Sequence, residues 1–154
     1  MKLSTRGRYA VMAMADLARH GDEGRAVCLA DIARRQEISL AYLEQLFGLL
    51  RRAGLVSSVR GPGGGYRLAR SADALPIADI VRAVDEPLHA TRCHASGTGP
   101  NMGKGCMASG EQCLTHNLWA ALGSEIEQFL TRVSLGDVIA RRVRPTERRQ
   151  IELA

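Results

Sequence analysis

Three cysteines and a histidine fall in one glycine-rich stretch, Cys93, Cys106, Cys113 and His116, with the spacing C-x12-C-x6-C-x2-H. The stretch holds three of the chain's four cysteines. Thiolate and imidazole are soft-to-borderline donors, so four of them can close around a transition-metal ion or an iron–sulfur cluster. Structural zinc sites favour close pairs such as C-x2-C and C-x2-H. Only one close pair exists here, Cys113 with His116. The wide gaps run over Gly97, Gly99, Gly103, Gly105 and Gly110, whose backbone freedom lets a chain wrap a bulky object. That pattern suits a [2Fe–2S] cluster better than a zinc ion, and both stay open. A cluster with one imidazole in place of a thiolate has a raised reduction potential. It also keeps one ligand for which a proton competes. Chance clustering is the plainer alternative, and three cysteines within 21 residues speak against it. His94, beside Cys93, is the competing imidazole. Cys28, between Val27 and Leu29, is expected to be a buried structural thiol.

The elements that must position these donors follow from periodicity. Leu114, Leu118, Leu122, Ile126, Phe129 and Val133 recur at intervals of 4, 4, 4, 3 and 4. They predict a long helix from near Leu114 with a near-heptad apolar stripe. Cys113 and His116, at i and i+3 where that helix begins, would share one face. Its stripe needs a partner, most simply a second copy of the same helix; packing onto its own domain is the alternative. Residues 88–112 show no periodicity, as expected of a functional loop. Pro76 opens a shorter helix with Ile77, Ile80, Val81 and Val84 inward, and Glu86-Pro87 is expected to stop it. The charged tail from Arg141 is expected to fray.

The first 70 residues carry a different signal. They hold 12 Lys+Arg against 6 Asp+Glu, whereas residues 71–154 hold 9 against 10. All of the net charge of +5 therefore comes from the N-terminal half, which points to a polyanion partner for that half. A solvated basic surface would explain the charge alone, so the elements decide. Ser4 or Thr5 caps a first helix running to about His20, and Gly21-Asp-Glu-Gly24 turns the chain. A second helix spans about Leu29–Arg35. A third spans about Leu40–Ala53, with Ser39 as N-cap and Gly54 as its stop. The short joint Gln36-Glu-Ile-Ser39 makes the pair a helix-turn-helix. The third helix turns Leu43, Leu46, Phe47 and Leu50 inward. Its other face (Ala41, Glu44, Gln45, Gly48, Arg52) is small and polar, as a major-groove helix requires. Leu55–Arg60, a glycine turn at Gly61–Gly65 and Tyr66–Leu68 then form a hairpin, the wing.

The candidate DNA contacts follow from this arrangement. Ser39, Ala41, Tyr42, Glu44, Gln45 and Arg52 lie at or on the third helix. Gln45 can pair with adenine, and Glu44 can accept from cytosine N4. Glu44 also repels phosphate, so it can reject one class of site; a plain solvated residue is the alternative. Arg60, at the wing tip with Gly61, Gly63 and Gly64, can enter a narrow minor groove. Arg6 and Arg8 oppose the dipole at the first helix's N-terminus, a clash that a phosphate would relieve.

Composition excludes several classes. A length of 154 residues suits one domain, or one domain with an appended arm, and apolar content of 45% with charge content of 24% describes an ordinary globular chain. No apolar run is long enough for a bilayer, and Arg6, Arg8 and Asp16 interrupt any signal-peptide core. Reduced cytoplasmic thiols are the expectation, with cysteines as ligands rather than disulfides. Aromatic content of 4% argues against stacking on single strands and for double-stranded DNA. Gly61–Gly65 lacks a Gly-Lys-Ser/Thr ending and precedes a strand, so it is no nucleotide loop. No acid/base pair or nucleophile constellation points to an enzyme. The expected fold is mainly α with a small β-hairpin: a winged helix-turn-helix over 1–70, a linking helix over 71–87, a ligand loop over 88–113, a dimerisation helix and C-terminal helix over 114–140, and a tail from 141.

Several segments resemble the IscR family of iron–sulfur cluster regulators, winged-helix transcription factors of bacteria. They are Arg6-Gly-Arg-Tyr-Ala-Val11, Ser39–Phe47, Gly54–Tyr66, Val84-Asp-Glu86, Ala90-Thr-Arg-Cys93, and Cys113-Leu-Thr-His116 followed by Leu118-Trp119. The wing motif is shared with relatives that sense other signals; the Cys-Leu-Thr-His segment is more specific. The resemblance covers about residues 1–138. It implies a homodimer with one [2Fe–2S] cluster per subunit, held by Cys93, Cys106, Cys113 and His116 and received from cluster donor machinery. It implies repression of iron–sulfur assembly genes by the loaded form, and binding of a second promoter class by the cluster-free form. The departure is the 12-residue gap between Cys93 and Cys106, longer than in the familiar pattern. The alternatives are a zinc-stabilised DNA-binding regulator, or a relative sensing nitric oxide or iron.

Overall fold

The computed structural model describes residues 5–21, 24–85, 107 and 111–144. In chain order these form α1 (Thr5–His20), α2 (Leu29–Gln36), α3 (Leu40–Arg52), β1 (Val56–Val59), β2 (Gly65–Leu68), a 3₁₀ turn (Ala72–Ala74), α4 (Ile77–Ala83), α5 (His116–Arg132) and α6 (Leu135–Ile139). The order is that of a winged helix-turn-helix followed by a long helix, as its patterning predicts. Among the described residues no helix is long and apolar enough to cross a membrane.

One core joins the first four helices. Ala10, Ala13, Met14 and Leu17 of α1 meet Ile32 of α2, Leu43, Leu46, Phe47 and Leu50 of α3, and Ile77, Ile80 and Val81 of α4, all essentially out of solvent. The small alanines let α1 lie close to its neighbours, and Phe47 fills the centre. Its ring meets Tyr66 of the wing edge-on, with centroids 4.9 Å apart. Hence the wing is packed onto α3 rather than merely tethered to it.

Local chemistry sets the boundaries. Ser39 Oγ accepts the Tyr42 N–H at 3.2 Å and caps α3. Gly54, at φ 72°, takes the left-handed conformation just beyond that helix. Pro76 stands at the N-cap of α4. That helix ends sooner than Glu86-Pro87 would require: Val84 is its C-cap, and Asp85 turns left-handed at φ 55°. Residues 86 and 87 lie outside the described residues, as do Ser4, Asp22 and Glu23.

The hairpin is antiparallel, with Val56 opposite Leu68 and Val59 opposite Gly65. Val27, just before α2, joins it as an isolated bridge, exchanging two backbone hydrogen bonds with Tyr66 at 2.8 and 2.9 Å. Gly65 makes that approach possible. A Cβ there would stand 2.2 Å from the Val27 carbonyl oxygen, and its φ of 155° also disfavours other residues.

The C-terminal end differs from a continuous stripe. α5 starts at His116, not Leu114, and Leu114 is fully exposed outside the helix. α5 stops at Arg132, and Ser134 opens α6 with a reciprocal capping box to Asp137. The Ser134 backbone and hydroxyl, with Arg142, lower the Asp137 carboxyl to about 2. Arg142 also reaches Asp73 at 3.2 Å. The tail is thus tied down just past Arg141, where fraying was expected, and residues 145–154 lie outside the described residues. Leu135, with no exposed surface, returns α6 to the domain, and its N–H bonds the Leu75 carbonyl at 2.8 Å.

Candidate nucleic-acid interface and ligand turn

α2 and α3 are set at a fixed angle by a short joint. Glu37 takes a left-handed conformation (φ 54°), the N–H of Ile38 bonds the Ala33 carbonyl at 3.1 Å, and Ile38 itself is buried. The outer face of α3 then carries Ala41, Glu44, Gln45 and Arg52, all exposed, with Ser39 exposed at its start. Tyr42 departs from this face. It is half-buried, packed against the core, and its ring meets Tyr9 edge-on at 6.1 Å. A tyrosine three residues beyond the N-cap points partly back to α1, so only its rim can face a groove.

Beneath the joint lies a charged pair that periodicity alone did not single out as a functional group. Asp16 of α1 is 4% exposed. Arg35 Nη2 donates to its Oδ1 at 2.6 Å, and Arg35 Nε reaches both carboxylate oxygens at 3.1 Å. Gln36 Nε2 donates to Oδ2 at 2.7 Å. The His20 ring lies 3.4 Å from Oδ1. Burial pushes this carboxyl up, but the hydrogen bonds from Arg35 and Gln36, with the charges of Arg35 and His20, outweigh it and hold the group below 3.8. The sequence does hold the signal. Asp16 sits inside the apolar arc of Ala10, Ala13, Met14 and Leu17, and a carboxylate there demands a partner.

On the wing, Arg60, Gly61 and Gly63 are exposed, and Gly64 is half-buried. Gly61 and Gly63 have φ of 96° and 73°. The Gly64 N–H closes the turn onto the Gly61 carbonyl at 2.9 Å. Arg8 is exposed on α1. Arg6 is half-exposed and lies 3.9 Å from Asp85, the last described residue before the cysteine-bearing stretch.

Cys113 and His116 come together in one turn, although not on one helical face. Cys113 precedes the helix, half-buried, and its carbonyl accepts the His116 N–H at 2.9 Å. His116 is the first residue of α5. Cys93, Cys106 and His94 lie outside the described residues, and among the described residues no group of three potential ligands gathers. The donor chemistry of the turn, a partly exposed thiol followed by an imidazole, fits an iron–sulfur ligand pair. Cys28 is not a buried thiol. It is exposed at the N-cap of α2, between Val27, which is buried and bridged to Tyr66, and the buried Leu29.

A chain of charges links α5 to the wing. Arg82 of α4 bonds Glu127 of α5 and stands 3.6 Å from Asp79. Asp79 accepts from Arg70, two residues past β2, at 2.7 Å.

Comparison with known proteins agrees with this geometry. The Rrf2 family, described as iron-dependent transcriptional regulators, matches residues 3–141. The chain belongs to the Rrf2 family. Its relatives include a putative HTH-type transcriptional regulator, ORF2, of Azotobacter vinelandii, 52% identical over 97% of this chain and 89% of the relative. The HTH-type transcriptional regulator IscR of Aliivibrio salmonicida is 53% identical over 90% of this chain and 77% of its own length. Among solved structures, T. potens IscR superposes with a TM-score of 0.71 at 36% identity, covering 93% of this chain and 89% of the other. CymR, the global cysteine regulator of B. subtilis, superposes at 0.74 with 30% identity, covering 92% and 98%. The chain is therefore a DNA-binding transcription regulator of the IscR type and not an enzyme.

Proposed function

We propose that the chain is a homodimeric, cluster-sensing repressor of iron–sulfur assembly genes. In this reading Cys93, Cys106, Cys113 and His116 hold one [2Fe–2S] cluster per subunit, delivered by donor machinery in the cytoplasm. The observation that carries it is the Cys113–His116 turn at the root of α5. Such a cluster supplies a redox- and iron-dependent occupancy that the protein can report. The chain's own residues do the rest. α3 enters a major groove with Gln45 and Glu44 at base edges, and Arg52 lies further along the same face. Ser39 and Ala41 bring the start of α3 close to the backbone. Arg60, with Gly61, Gly63 and Gly64, presents the wing to a minor groove, and Arg6 and Arg8 meet phosphates. The exposed side of α5 pairs with a second copy. Arg82 joins Glu127 of α5 to Asp79, and so to Arg70 beside the wing, giving ligand occupancy a physical route to the DNA-reading half.

The test is anaerobic purification followed by iron, sulfide and zinc analysis, with duplex-DNA binding by loaded and cluster-free protein across a salt series. The expected result is a coloured protein with iron and acid-labile sulfide, promoter selectivity that changes with loading, and affinity that falls steeply with salt. Cys113→Ala should lose the colour and behave as the cluster-free form. A colourless protein with one zinc per chain would sink the sensor reading in favour of a zinc-stabilised regulator.

Glu44 gives a second prediction. It is exposed on the reading face of α3. Its carboxylate rejects sites that offer only acceptors or crowd a phosphate against it. Glu44→Ala in cluster-free protein should therefore bind sites that the parent discriminates against, tightening by roughly ten- to a hundredfold at such a base pair. An unchanged ranking of sites, with and without cluster, would remove Glu44 from the specificity machinery.

A further inference from the structure

Thr115 occupies the N-cap position of α5, where a threonine hydroxyl ordinarily accepts a backbone N–H of the first turn. Here it does not. Its φ and ψ are −97° and 7°, outside the extended region usual for a cap, and its side chain makes no cap bond. The hydroxyl is engaged elsewhere. Trp119 Nε1 lies 3.1 Å from Thr115 Oγ1, and Cys113 Sγ lies 3.5 Å from the same oxygen.

Donor and acceptor roles follow from the chemistry of the three groups. An indole N–H can only donate, so the Thr115 oxygen accepts from Trp119. A thiol could either donate or accept toward Thr115. A ligating cysteine is a thiolate and has no proton to give. Once Cys113 serves as a ligand, the hydrogen bond in this pair can only run from the Thr115 hydroxyl to sulfur. The order is then Trp119 N–H to Thr115 oxygen, and Thr115 O–H to Cys113 Sγ. Accepting from the indole polarises the hydroxyl and strengthens what it donates.

We infer that Thr115 is a positioning residue for the Cys113 sulfur, held in place by Trp119, and that the pair raises the reduction potential of the group bound there. The inference rests on the cluster reading proposed above. Hydrogen bonds to ligand sulfurs are one of the levers that set iron–sulfur potentials, and outer-shell partners orient the ligands themselves. A donor to sulfur offsets negative charge, and the reduced state carries more of it. Trp119 is also one of the large apolar residues left exposed on α5, at 37%. A partner that covers this part of α5 would touch the residue that fixes the Thr115 hydroxyl, which ties the ligand's surroundings to the state of the α5 surface.

The experiment uses the full chain, loaded anaerobically with iron and sulfide. Thr115→Val, Thr115→Ser and Trp119→Phe are compared with the parent by iron and sulfide content and by spectroelectrochemical titration. Thr115→Val keeps the shape and loses the hydroxyl, so its potential should move to more negative values at unchanged iron content. Thr115→Ser restores the donor and should return to the parent value. Trp119→Phe keeps an aromatic ring and loses only the N–H donor, so it should move in the same direction by less. A loaded Thr115→Val with the parent's potential would overturn this inference and leave the cluster reading standing. A parent chain that takes up no iron and sulfide would overturn both. If Thr115→Val does not load, Trp119→Phe decides: an unchanged potential there also overturns the role of Thr115.

Discussion

Asp16→Ala is expected to destabilise the protein by about 2–3 kcal/mol and to weaken DNA binding beyond what the loss of folded protein explains. The carboxylate is 4% exposed and takes hydrogen bonds from both Arg35 and Gln36. Removing one partner of a buried charged pair costs ~3–5 kcal/mol when the other is left desolvated. The Arg35 side chain keeps 29% of its surface, so water recovers part of that cost. The effect on DNA follows from position. Arg35 and Gln36 are the last residues of α2, and Glu37 to Ser39 lead directly into α3. Without Asp16 the joint loses its fixed point on α1, and α3 samples orientations that do not fit the groove. Urea melts, with binding measured where both proteins are fully folded, separate the two effects. Normal affinity in a destabilised Asp16→Ala would show that Asp16 serves stability alone.

The same group gives a pH dependence with a definite sign. Its folded value lies below 3.8, so the unfolded state binds the proton more readily. The stabilisation is fully present well above 3.8 and is lost as pH falls through the depressed folded value. Asp16→Asn removes the titrating group while keeping much of its shape. Its stability loss should be largest near neutrality and should shrink in acid, where the parent also loses its carboxylate. A loss that stays constant down to pH 3 would assign the acid sensitivity to other groups.

How much of this was legible beforehand depends on the range of the interaction. Ser39, Gly54 and Pro76 act within a few residues, and each stands where local chemistry places it. The apolar stripe of α3 is equally readable, because Leu43, Leu46, Phe47 and Leu50 repeat with the helical period. Tyr42 is where that logic fails. It lies outside the stripe of Leu43, Leu46, Phe47 and Leu50, but Tyr9 of α1 offers a ring to pack on, and only the tertiary fold brings them together. Cys28 fails for a similar reason: two apolar neighbours suggest burial, whereas Val27, bridged non-locally to Tyr66, takes the inward place and Cys28 is left exposed. The proposed ligand pair, Cys113 and His116, was legible as a pair. Their mutual geometry was not, because Leu114 extends the apolar repeat one step too far and hides the turn before α5. Thr115 lies in that hidden turn, so its contacts with Cys113 and Trp119 had no sequence signal beyond proximity.

Leu118→Asp combined with Leu122→Asp is expected to convert the proposed dimer to monomer and to lower affinity for a two-half-site operator by roughly a hundredfold or more. Leu118 is 61% exposed, Leu122 38% and Phe129 42%, all on a helix of 17 residues. Leu118 and Leu122 stand one turn apart, so they form a single strip. Neither belongs to the buried core, so their cost falls on association and not on the domain's own fold. A leucine fully buried by a partner contributes about 1.5–3 kcal/mol, and a two-fold interface counts each substitution twice. An aspartate in the same place adds the desolvation of a carboxylate facing its own copy. Light scattering reads the mass. Binding to a half-site duplex provides the control, since α3 and the wing are untouched and half-site affinity should hold. A parent that is monomeric at micromolar concentration, or a double variant that remains dimeric, would sink the α5 interface. Retained half-site binding with lost full-site binding has only one explanation in this geometry: the two reading heads are held together through α5, the helix that begins at the Cys113–His116 turn.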